Sequence, residues 1–427
     1  MTTGPLEGVR VLDLGIIYAG PYAGLHLADF GADVVKIESP EGDPWRSSGA
    51  VVPENGKAFQ YLNRGRRSVA INLARPKGRS VVHEMVKEAD VVVINARPGV
   101  PQRLGVDYET LSNLNAALIY ADITGFSPGG PWSGEAATNV VGEAYGGAVA
   151  LGGKLTPAGA PINTGVTLAD LSSGLALALG ICAALYERTR TGQGQRVSTS
   201  LVRSVMSFSG MFNMREPITD AVLLAPVLEQ VREARERGGS YAEVLGARQK
   251  RGLDNDSSRS ASPYYGGFSA RGGALVLGAL TPNTRAAARE VLAIESDPML
   301  DPDFDPLSPA GRTAMRELRE RVEQVFTTRT VEEWVAAFRA RGVPVSPVNL
   351  PEDLAEDPQG LVEMVDVNHA EFGIQRHVKP IIDFSRTPAQ IRRGSPTLGA
   401  HTTEVLTELG LSQEQIQELR DGGDILG

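Results

Sequence analysis

Short apolar runs alternate with longer amphipathic stretches through the first 200 residues, and glycine or proline separates many of them. Short apolar runs are typical of buried strands, and longer stretches with an apolar stripe are typical of helices. The pattern predicts strands at residues 9–14, 33–38, 68–73, 90–94, 117–123 and 196–201. It predicts helices at residues 22–30, 77–88 and 171–188. Strands that alternate with helices indicate an α/β fold.

The pattern changes after residue 205. Residues 220–262 are polar and charged, which predicts a linker with one or two surface helices. A hairpin, two amphipathic helices, short strands and a C-terminal helix over 403–419 are predicted to follow. The predicted domains are a large α/β domain (1–205), a linker (206–262), a small domain (263–340) and a return segment that completes the large domain (341–427).

Composition and charge narrow the class of protein. The 427 residues are 42% hydrophobic and 22% charged, enough for a sizeable core. A net charge of −9 argues against nucleic acid as a partner. Cys182 is the only cysteine, which fits a reducing cytoplasm. The N-terminus has no apolar signal core and no apolar run is predicted to reach membrane-spanning length, so we expect a cytoplasmic protein without a membrane partner.

One acidic residue lies at the start of the most apolar predicted helix. Asp170 directly precedes residues 171–188, where an N-cap belongs. Free backbone N–H groups and the helix dipole favour a charged carboxylate there, so we predict a lowered pKa for Asp170. An ionised carboxylate can act as a nucleophile. The same position also suits an aspartate that only caps the helix, and local sequence leaves both interpretations open.

A series of short motifs runs in order through most of the chain. They lie at residues 6–14, 19–21, 27–38, 40–46, 62–68, 95–105, 125–131, 165–171, 180–185, 188, 191–197, 342–348, 357–359 and 396–402. Together they resemble the class III CoA-transferases, a family that includes formyl-CoA transferase, carnitine CoA-transferase and, as a divergent branch, alpha-methylacyl-CoA racemase.

This resemblance implies a fold and a reaction. The implied fold is an open Rossmann-like large domain completed by the C-terminal segment, plus a small α+β domain, in an interlocked homodimer. The implied reaction moves CoA from an acyl-CoA donor to a carboxylic acid acceptor, without a metal. Asp170 aligns with the family nucleophile, which forms an aspartyl anhydride and then an aspartyl-CoA thioester.

The resemblance also implies contacts with CoA. The aligned residues are Ile17, Tyr18, Ala19, Ile71, Leu73, Asn95, Ala96 and Arg103. Backbone N–H groups of the loop after the first strand could hold an anion or line the thioester. Tyr18 stands where the family often has glutamine, and Ala74 stands where it has a lysine. The cluster Arg64, Arg66 and Arg67 has the right sign for phosphates, although for two of the three solvated surface charge is at least an equal alternative.

Two positions separate the branches of the family. The racemase branch has a His-Asp pair where this chain has Thr138 and Asn139. Proton transfer at an α-carbon needs a base on each face, which threonine cannot supply. The transferase branch often keeps aspartate at position 139, so Asn139 is unusual for either branch, and Glu143 could compensate.

Other hypotheses come from different classes. The first strand, a glycine loop, a helix and Glu38 resemble the start of a dinucleotide-binding oxidoreductase, but residues 15–20 lack the G-x-G-x-x-G pattern. A racemase of the same superfamily and a non-catalytic CoA-binding subunit are the remaining alternatives. The pair Gly266 and Gly267 could form a mobile loop over the nucleophile or a simple turn. The five histidines lack the spacing of metal ligands, so no metal site is predicted.

Overall fold

A computed structural model of the protein describes residues 4–249, 263–306 and 308–427. The described residues form two compact units. The first contains the residues up to Gly152 together with Asn163–Met214 and Gln359–Gly427, and the second contains Gly153–Ile162 and Arg215–Pro358. These bounds differ from the predicted domains, because residues 215–249 belong to the second unit and the chain returns to the first unit at Gln359. Residues 250–262 of the predicted linker lie outside the described residues.

Twelve strands are found in the described chain. They are β1 (Arg10–Asp13), β2 (Asp33–Glu38), β3 (Arg67–Ile71), β4 (Val91–Ile94), β5 (Ile119–Thr124), β6 (Gln195–Ser200), β7 (Tyr265–Ala270), β8 (Gly273–Gly278), β9 (Val345–Pro347), β10 (Met364–His369), β11 (Gly373–Val378) and β12 (Ile425–Leu426).

The helices of the described chain are numbered in the same way. They are α1 (Ala19–Asp29), α2 (Lys57–Leu62), α3 (Pro76–Lys87), α4 (Val100–Leu104), α5 (Tyr108–Leu114), α6 (Asn139–Tyr145), α7 (Ala148–Gly152), α8 (Leu168–Thr191), α9 (Leu201–Phe208), α10 (Gly210–Asn213), α11 (Pro217–Thr219), α12 (Ala225–Glu236), α13 (Tyr241–Gln249), α14 (Pro282–Leu292), α15 (Pro309–Phe326), α16 (Val331–Ala340), α17 (Pro358–Val362), α18 (Thr402–Glu408) and α19 (Gln413–Asp421).

The first unit is built on a seven-stranded sheet with the order β12-β3-β2-β1-β4-β5-β6. All neighbours pair in parallel except β12, which is antiparallel to β3. Every residue of β4 is buried, as expected for a parallel strand covered on both faces. The winding reverses between β1 and β4, so the loops after these two strands open a crevice at the carboxyl edge of the sheet.

Helices cover both faces of this sheet. One hydrophobic cluster joins α1, α8 and α9 to the sheet, and a second joins α3, α5, α18 and α19 to the other face. The C-terminal segment therefore completes the first unit. The prediction of a single helix over 403–419 is wrong, because the chain turns at Gly410 with φ 91° and restarts with Ser412 as the cap of α19. A left-handed φ favours glycine at such a break.

Helix α8 is longer than the sequence pattern indicates. It has 24 residues and a mean hydropathy of 1.8 over its most apolar window, so it meets the length and composition of a membrane span. The expectation that no segment reaches that length is therefore wrong. Half of that window is buried inside the protein. The helix packs on α1, β5 and β6, which is the arrangement of a core helix.

The arginine cluster after α2 is structural. Arg64, Arg66 and Arg67 are all buried, and neither the phosphate nor the solvated-surface interpretation describes them. Arg66 pairs with Asp13 at the end of β1, and Arg64 Nη2 lies 2.7 Å from Asp29 Oδ2 in α1. Arg67 pairs with one carboxylate on β2 and two on α18. Buried guanidinium groups need such partners, since an unpaired buried charge is costly.

The second unit has a smaller antiparallel sheet of β7, β8 and β9. Helices α14, α15 and α16 pack on it through an aromatic core that includes Phe268, Phe326, Trp334 and Phe338. Gly266 and Gly267 lie inside β7 and pair with β8. The expectation that these glycines form a turn or a mobile loop is therefore wrong for the described structure.

Candidate active site

A cavity of about 250 Å³ lies in the first unit at the crevice between the loops after β1 and β4. It lies at the topological switch point, where open α/β sheets bind ligands. Asp170 reaches this cavity from the start of α8. The other lining residues are Ile16, Ile17, Tyr18, Ala19, Asn95, Ala96, Arg97, Pro98, Ile123, Thr124, Gly125, Glu135, Ala136, Ala137, Thr138, Asn139 and Leu201.

Close helix packing brings Asp170 to this wall. Gly174 lies one turn after Asp170, and a Cβ atom at that position would come within 2.6 Å of the Ala19 carbonyl oxygen. Glycine therefore permits the tight contact between α8 and the start of α1. The contact sets Asp170 beside the loop that carries Ile17 and Tyr18.

Asp170 is the third residue of α8 rather than its N-cap. The cap position belongs to Thr167, whose side chain makes no capping hydrogen bond. The backbone N–H groups of Leu168 and Ala169 instead donate to Glu143 and Asn139 of α6, at 2.9 Å each. The expected location of Asp170 at the helix start is right to within three residues, but its capping role is not found.

The predicted direction of the pKa shift at Asp170 is wrong. Burial, and then the negative charge of Glu143, raise the pKa of Asp170 to about 6. Its carboxylate accepts no hydrogen bond from any described residue, so no such bond offsets the cost of desolvation. Asp170 is thus a half-buried, unbonded carboxylate that is mostly ionised at neutral pH.

Side chains hold the loop after β1 in one conformation. Asn95 accepts from the Ile16 backbone N–H at 2.8 Å and donates to the Ile16 carbonyl at 2.9 Å. Ile17 has φ 65°, a left-handed conformation that is strained for a β-branched residue. Asp43 accepts from the Ile17 N–H at 3.1 Å and pairs with buried Lys36. This strain lies directly beside Asp170, as it often does at functional sites.

The structure brings together some of the predicted CoA contacts and separates others. Five of them line the cavity with Asp170: Ile17, Tyr18, Ala19, Asn95 and Ala96.

The remaining predicted contacts lie elsewhere. Ile71 is buried in the sheet core, where it pairs with Ile425 of β12, and Leu73 packs partly against the same core. Arg103 is exposed on α4 and does not line the cavity. Sequence reasoning missed Arg97, an exposed cation on the cavity wall that makes no ion pair with a described residue. Its place two residues after Asn95 was the available signal.

The described residues contain no group of three or more histidine, cysteine, aspartate or glutamate side chains placed to hold a metal ion. Cys182 is half-buried against the core of the first unit, and burial raises the pKa of its thiol. A thiol with a raised pKa is a poor nucleophile at neutral pH. The Asp170 carboxylate, by contrast, lies on the wall of the cavity.

Comparison with known proteins identifies the family. The model of CoA-transferase family III matches residues 6–402. The chain belongs to CoA-transferase family III. This assignment decides against the dinucleotide-binding oxidoreductase, and it implies CoA as a substrate.

Several named proteins are similar to nearly the whole chain. An acyl-CoA transferase of Fusarium pseudograminearum is 32% identical, with 99% of this chain and 88% of the relative covered. A formyl-CoA:oxalate CoA-transferase of Bradyrhizobium sp. is 33% identical, with 99% and 97% covered. A crystal structure of a CAIB/BAIF family protein from Brucella suis is 29% identical, covers 96% of this chain and 100% of its own, and has a TM-score of 0.71.

Proposed function

We propose that this family III CoA-transferase moves CoA from an acyl-CoA donor to a carboxylic acid acceptor, with Asp170 as the nucleophile. The observation that carries the proposal is the unbonded Asp170 carboxylate on the wall of the crevice cavity. A carboxylate without hydrogen bonds keeps its lone pairs available for attack. The resemblance of the motif at residues 165–171 to the family nucleophile supports the same role.

The first half of the proposed reaction loads CoA onto the protein. An Asp170 oxygen attacks the thioester carbonyl carbon, the C–S bond breaks, and CoA leaves as a thiolate. The product is a mixed anhydride between Asp170 and the donor acyl group. The thiolate then attacks the Asp170 carbonyl carbon, the donor acid leaves as a carboxylate, and an aspartyl-CoA thioester remains.

The second half runs the same steps with the acceptor. The acceptor carboxylate attacks the Asp170 carbonyl carbon of the thioester, the C–S bond breaks, and the CoA thiolate leaves. The product is a new anhydride between Asp170 and the acceptor acid. The thiolate attacks the acceptor acyl carbon, and Asp170 leaves as a free carboxylate. Each step exchanges one activated acyl bond for another and consumes no proton, so Asp170 must be ionised at the start.

The cavity provides groups suited to this chemistry. The first turn of α1 leaves the N–H groups of Ala19 and Gly20 without intrahelical acceptors. Such N–H groups can stabilise negative charge that develops on a carbonyl oxygen. Arg97 offers a cation to an anionic substrate. Apolar walls from Ile17, Ile123 and Leu201 limit the access of water.

An exchange assay in heavy water tests transfer against racemisation. We expect label from a radioactive carboxylate to enter the CoA ester pool, with ping-pong kinetics. We expect no deuterium at the α-carbon of 2-methylacyl-CoA, because Thr138 and Asn139 do not supply the two bases that proton transfer at this carbon requires. Enzyme-dependent α-deuteration without carboxylate exchange would favour the racemase alternative, and neither reaction across a broad panel would favour a non-catalytic CoA-binding subunit.

We also propose that the protein is a homodimer, as the family resemblance implies. Trp132, Tyr145 and Met206 line one open cleft of the first unit, and Phe208 and Met211 add apolar surface on α9 and α10. Their exposed fractions lie between 41% and 77%. Exposed apolar surface of this kind marks interaction sites. Light scattering should give twice the chain mass of 45.4 kDa, and F208E should lower it. A single-chain mass for the wild type would contradict the proposal.

A further inference from the structure

Two polar side chains of α6 face the first turn of α8. Asn139 and Glu143 are four residues apart, so they lie on the same face of the helix. Asn139 Oδ1 accepts from the backbone N–H of Ala169 at 2.9 Å and of Asp170 at 3.3 Å. Glu143 Oε1 accepts from the backbone N–H of Leu168 at 2.9 Å. The first three N–H groups of α8 are therefore all taken by α6.

Glu143 is completely buried, and each of its partners can donate. Asn139 Nδ2 donates to Oε1 at 2.8 Å, and Thr164 donates to Oε2 through Oγ1 at 2.7 Å. These contacts suit a carboxylate that only accepts hydrogen bonds. The side-chain amide of Asn139 is also required, because a second carboxylate there would lie 2.8 Å from the first.

The occupied N–H groups matter for the neighbouring Asp170. The first N–H groups of a helix have no intrahelical acceptor, so an acidic side chain in the first turn can accept hydrogen bonds from them. Such bonds stabilise the charged form and engage the lone pairs needed for attack. Here the three N–H groups of the first turn are already bonded, and Asp170 accepts no hydrogen bond from a described residue.

We propose that Asn139 and Glu143 form a capping pair that positions Asp170 and keeps it reactive. The pair takes the N–H groups that would otherwise bond to the Asp170 carboxylate, and the charge of Glu143 increases the basicity of that carboxylate. The inference rests on the proposed role of Asp170 as the nucleophile. It assigns functions to two side chains that do not themselves react.

Other charged or titratable groups near Asp170 differ from Glu143 in exposure. Arg97 after β4 and Glu135 before α6 line the same cavity, and both are exposed to solvent. Tyr18 faces the cavity from the loop after β1. The pKa of Asp170 is raised first by burial and second by Glu143. Removal of the Glu143 charge should therefore lower that pKa, but burial should keep it above the ordinary value.

Glu143→Gln tests the charge with little change in shape. The new amide oxygen can accept from Asn139 and Leu168, and the new amide nitrogen can donate to Thr164 Oγ1. Only the Thr164 backbone N–H, which lies 3.4 Å from Oε2, loses its acceptor. The Thr164 hydroxyl can then donate to the Val166 carbonyl, which already lies 2.6 Å away. We expect the acidic limb of kcat/KM, near pH 6 in the wild type, to move down by about half a unit or more.

Asn139→Ala tests the occupied N–H groups. It frees the N–H groups of Ala169 and Asp170, which can then bond to the Asp170 carboxylate. Asn139 also lines the cavity, but the freed N–H groups act on the Asp170 carboxylate, so we expect kcat to fall by about tenfold or more, with a smaller change in KM for acyl-CoA. This test leaves Glu143 in place and is informative even if the glutamine variant fails to fold.

Two further variants separate charge from packing. N139D/E143Q returns a carboxylate to the pair. The glutamine amide can turn so that its nitrogen donates to the new carboxylate and its oxygen accepts from Thr164, so the acidic limb should move back towards that of the wild type. T164V removes one hydrogen-bond donor to Glu143 but keeps the charges of Glu143 and Asp170. The acidic limb of kcat/KM should therefore not move down in this variant. Thermal unfolding of each variant shows whether it is folded.

The inference would be overturned if the acidic limb of kcat/KM for E143Q coincided with that of the wild type. An unchanged kcat in N139A would also overturn it. Either result could occur while the wild-type protein still forms a covalent species on Asp170. If the wild-type protein formed no covalent species on Asp170, that result would instead count against the proposed function. The two outcomes are therefore distinguishable.

Discussion

Replacement of Asp170 by alanine is expected to abolish CoA transfer, with kcat falling on the order of 10⁴-fold or more. No described neighbour is placed to take over the attack. Glu143 is buried and fully hydrogen-bonded, and Glu135 is exposed to solvent. Steady-state transfer assays and single-turnover measurements with the same donor would both report the loss. Turnover near the wild-type rate would exclude Asp170 as the nucleophile.

The same variant should remain folded and gain stability at neutral pH. Asp170 has a pKa of about 6 in the folded protein, above its ordinary value, so the folded state favours its protonated form. The ionised carboxylate therefore costs stability above pH 6, and the cost disappears as the pH falls below the ordinary pKa. Attraction to the start of α8 offsets part of this cost. We expect a gain of about 1 kcal/mol at pH 8 and less at pH 4.

A matched control removes a carboxylate from the first turn of another helix. Glu414 lies in the first turn of α19, outside the cavity, and its side chain is exposed. Glu414→Ala should leave transfer unchanged and should not raise stability at pH 8. A similar loss of activity in both variants would indicate a general structural effect rather than chemistry at Asp170.

The sheet of the first unit could be predicted closely from the sequence. Strand β2 occupies residues 33–38, as its apolar run indicates, and the ends of the other parallel strands lie within two residues of their predictions. The central strands of the sheet, such as β4, are buried on both faces, so their apolar runs are nearly continuous. The two-residue strand β12 could not be predicted this way, because Ile425 and Leu426 show no pattern without their partner β3.

The buried ion pairs and the pKa shift at Asp170 could not be predicted from the local sequence. The sequence shows Arg66 and Arg67 as neighbouring cations without an adjacent acidic residue. In the fold, Arg66 pairs with Asp13 and Arg67 pairs with Glu404, both far away in sequence. The pKa of Asp170 shows the same limit. The local argument considered only the start of its own helix, whereas burial and Glu143 of α6 determine the shift. The four-residue spacing of Asn139 and Glu143 was the available signal.

Incubation with a donor acyl-CoA alone should leave a covalent species on Asp170, which hydroxylamine converts to a hydroxamate. Without an acceptor, the reaction can proceed only as far as the anhydride and the aspartyl-CoA thioester. Both intermediates carry an activated Asp170 carbonyl that hydroxylamine attacks. Because successive steps exchange acyl bonds of similar energy, a measurable share of the protein should be loaded at saturating donor.

Peptide mapping by mass spectrometry should place this hydroxamate in the peptide that contains Leu168 and Asp170. The D170A variant should show no label, and E414A should be labelled like the wild type. Label on Glu143 or Glu135 would move the nucleophile to that residue. An unlabelled wild type under conditions of active transfer would favour direct transfer in a ternary complex, because an unbonded carboxylate that attacks the thioester must pass through an activated acyl state.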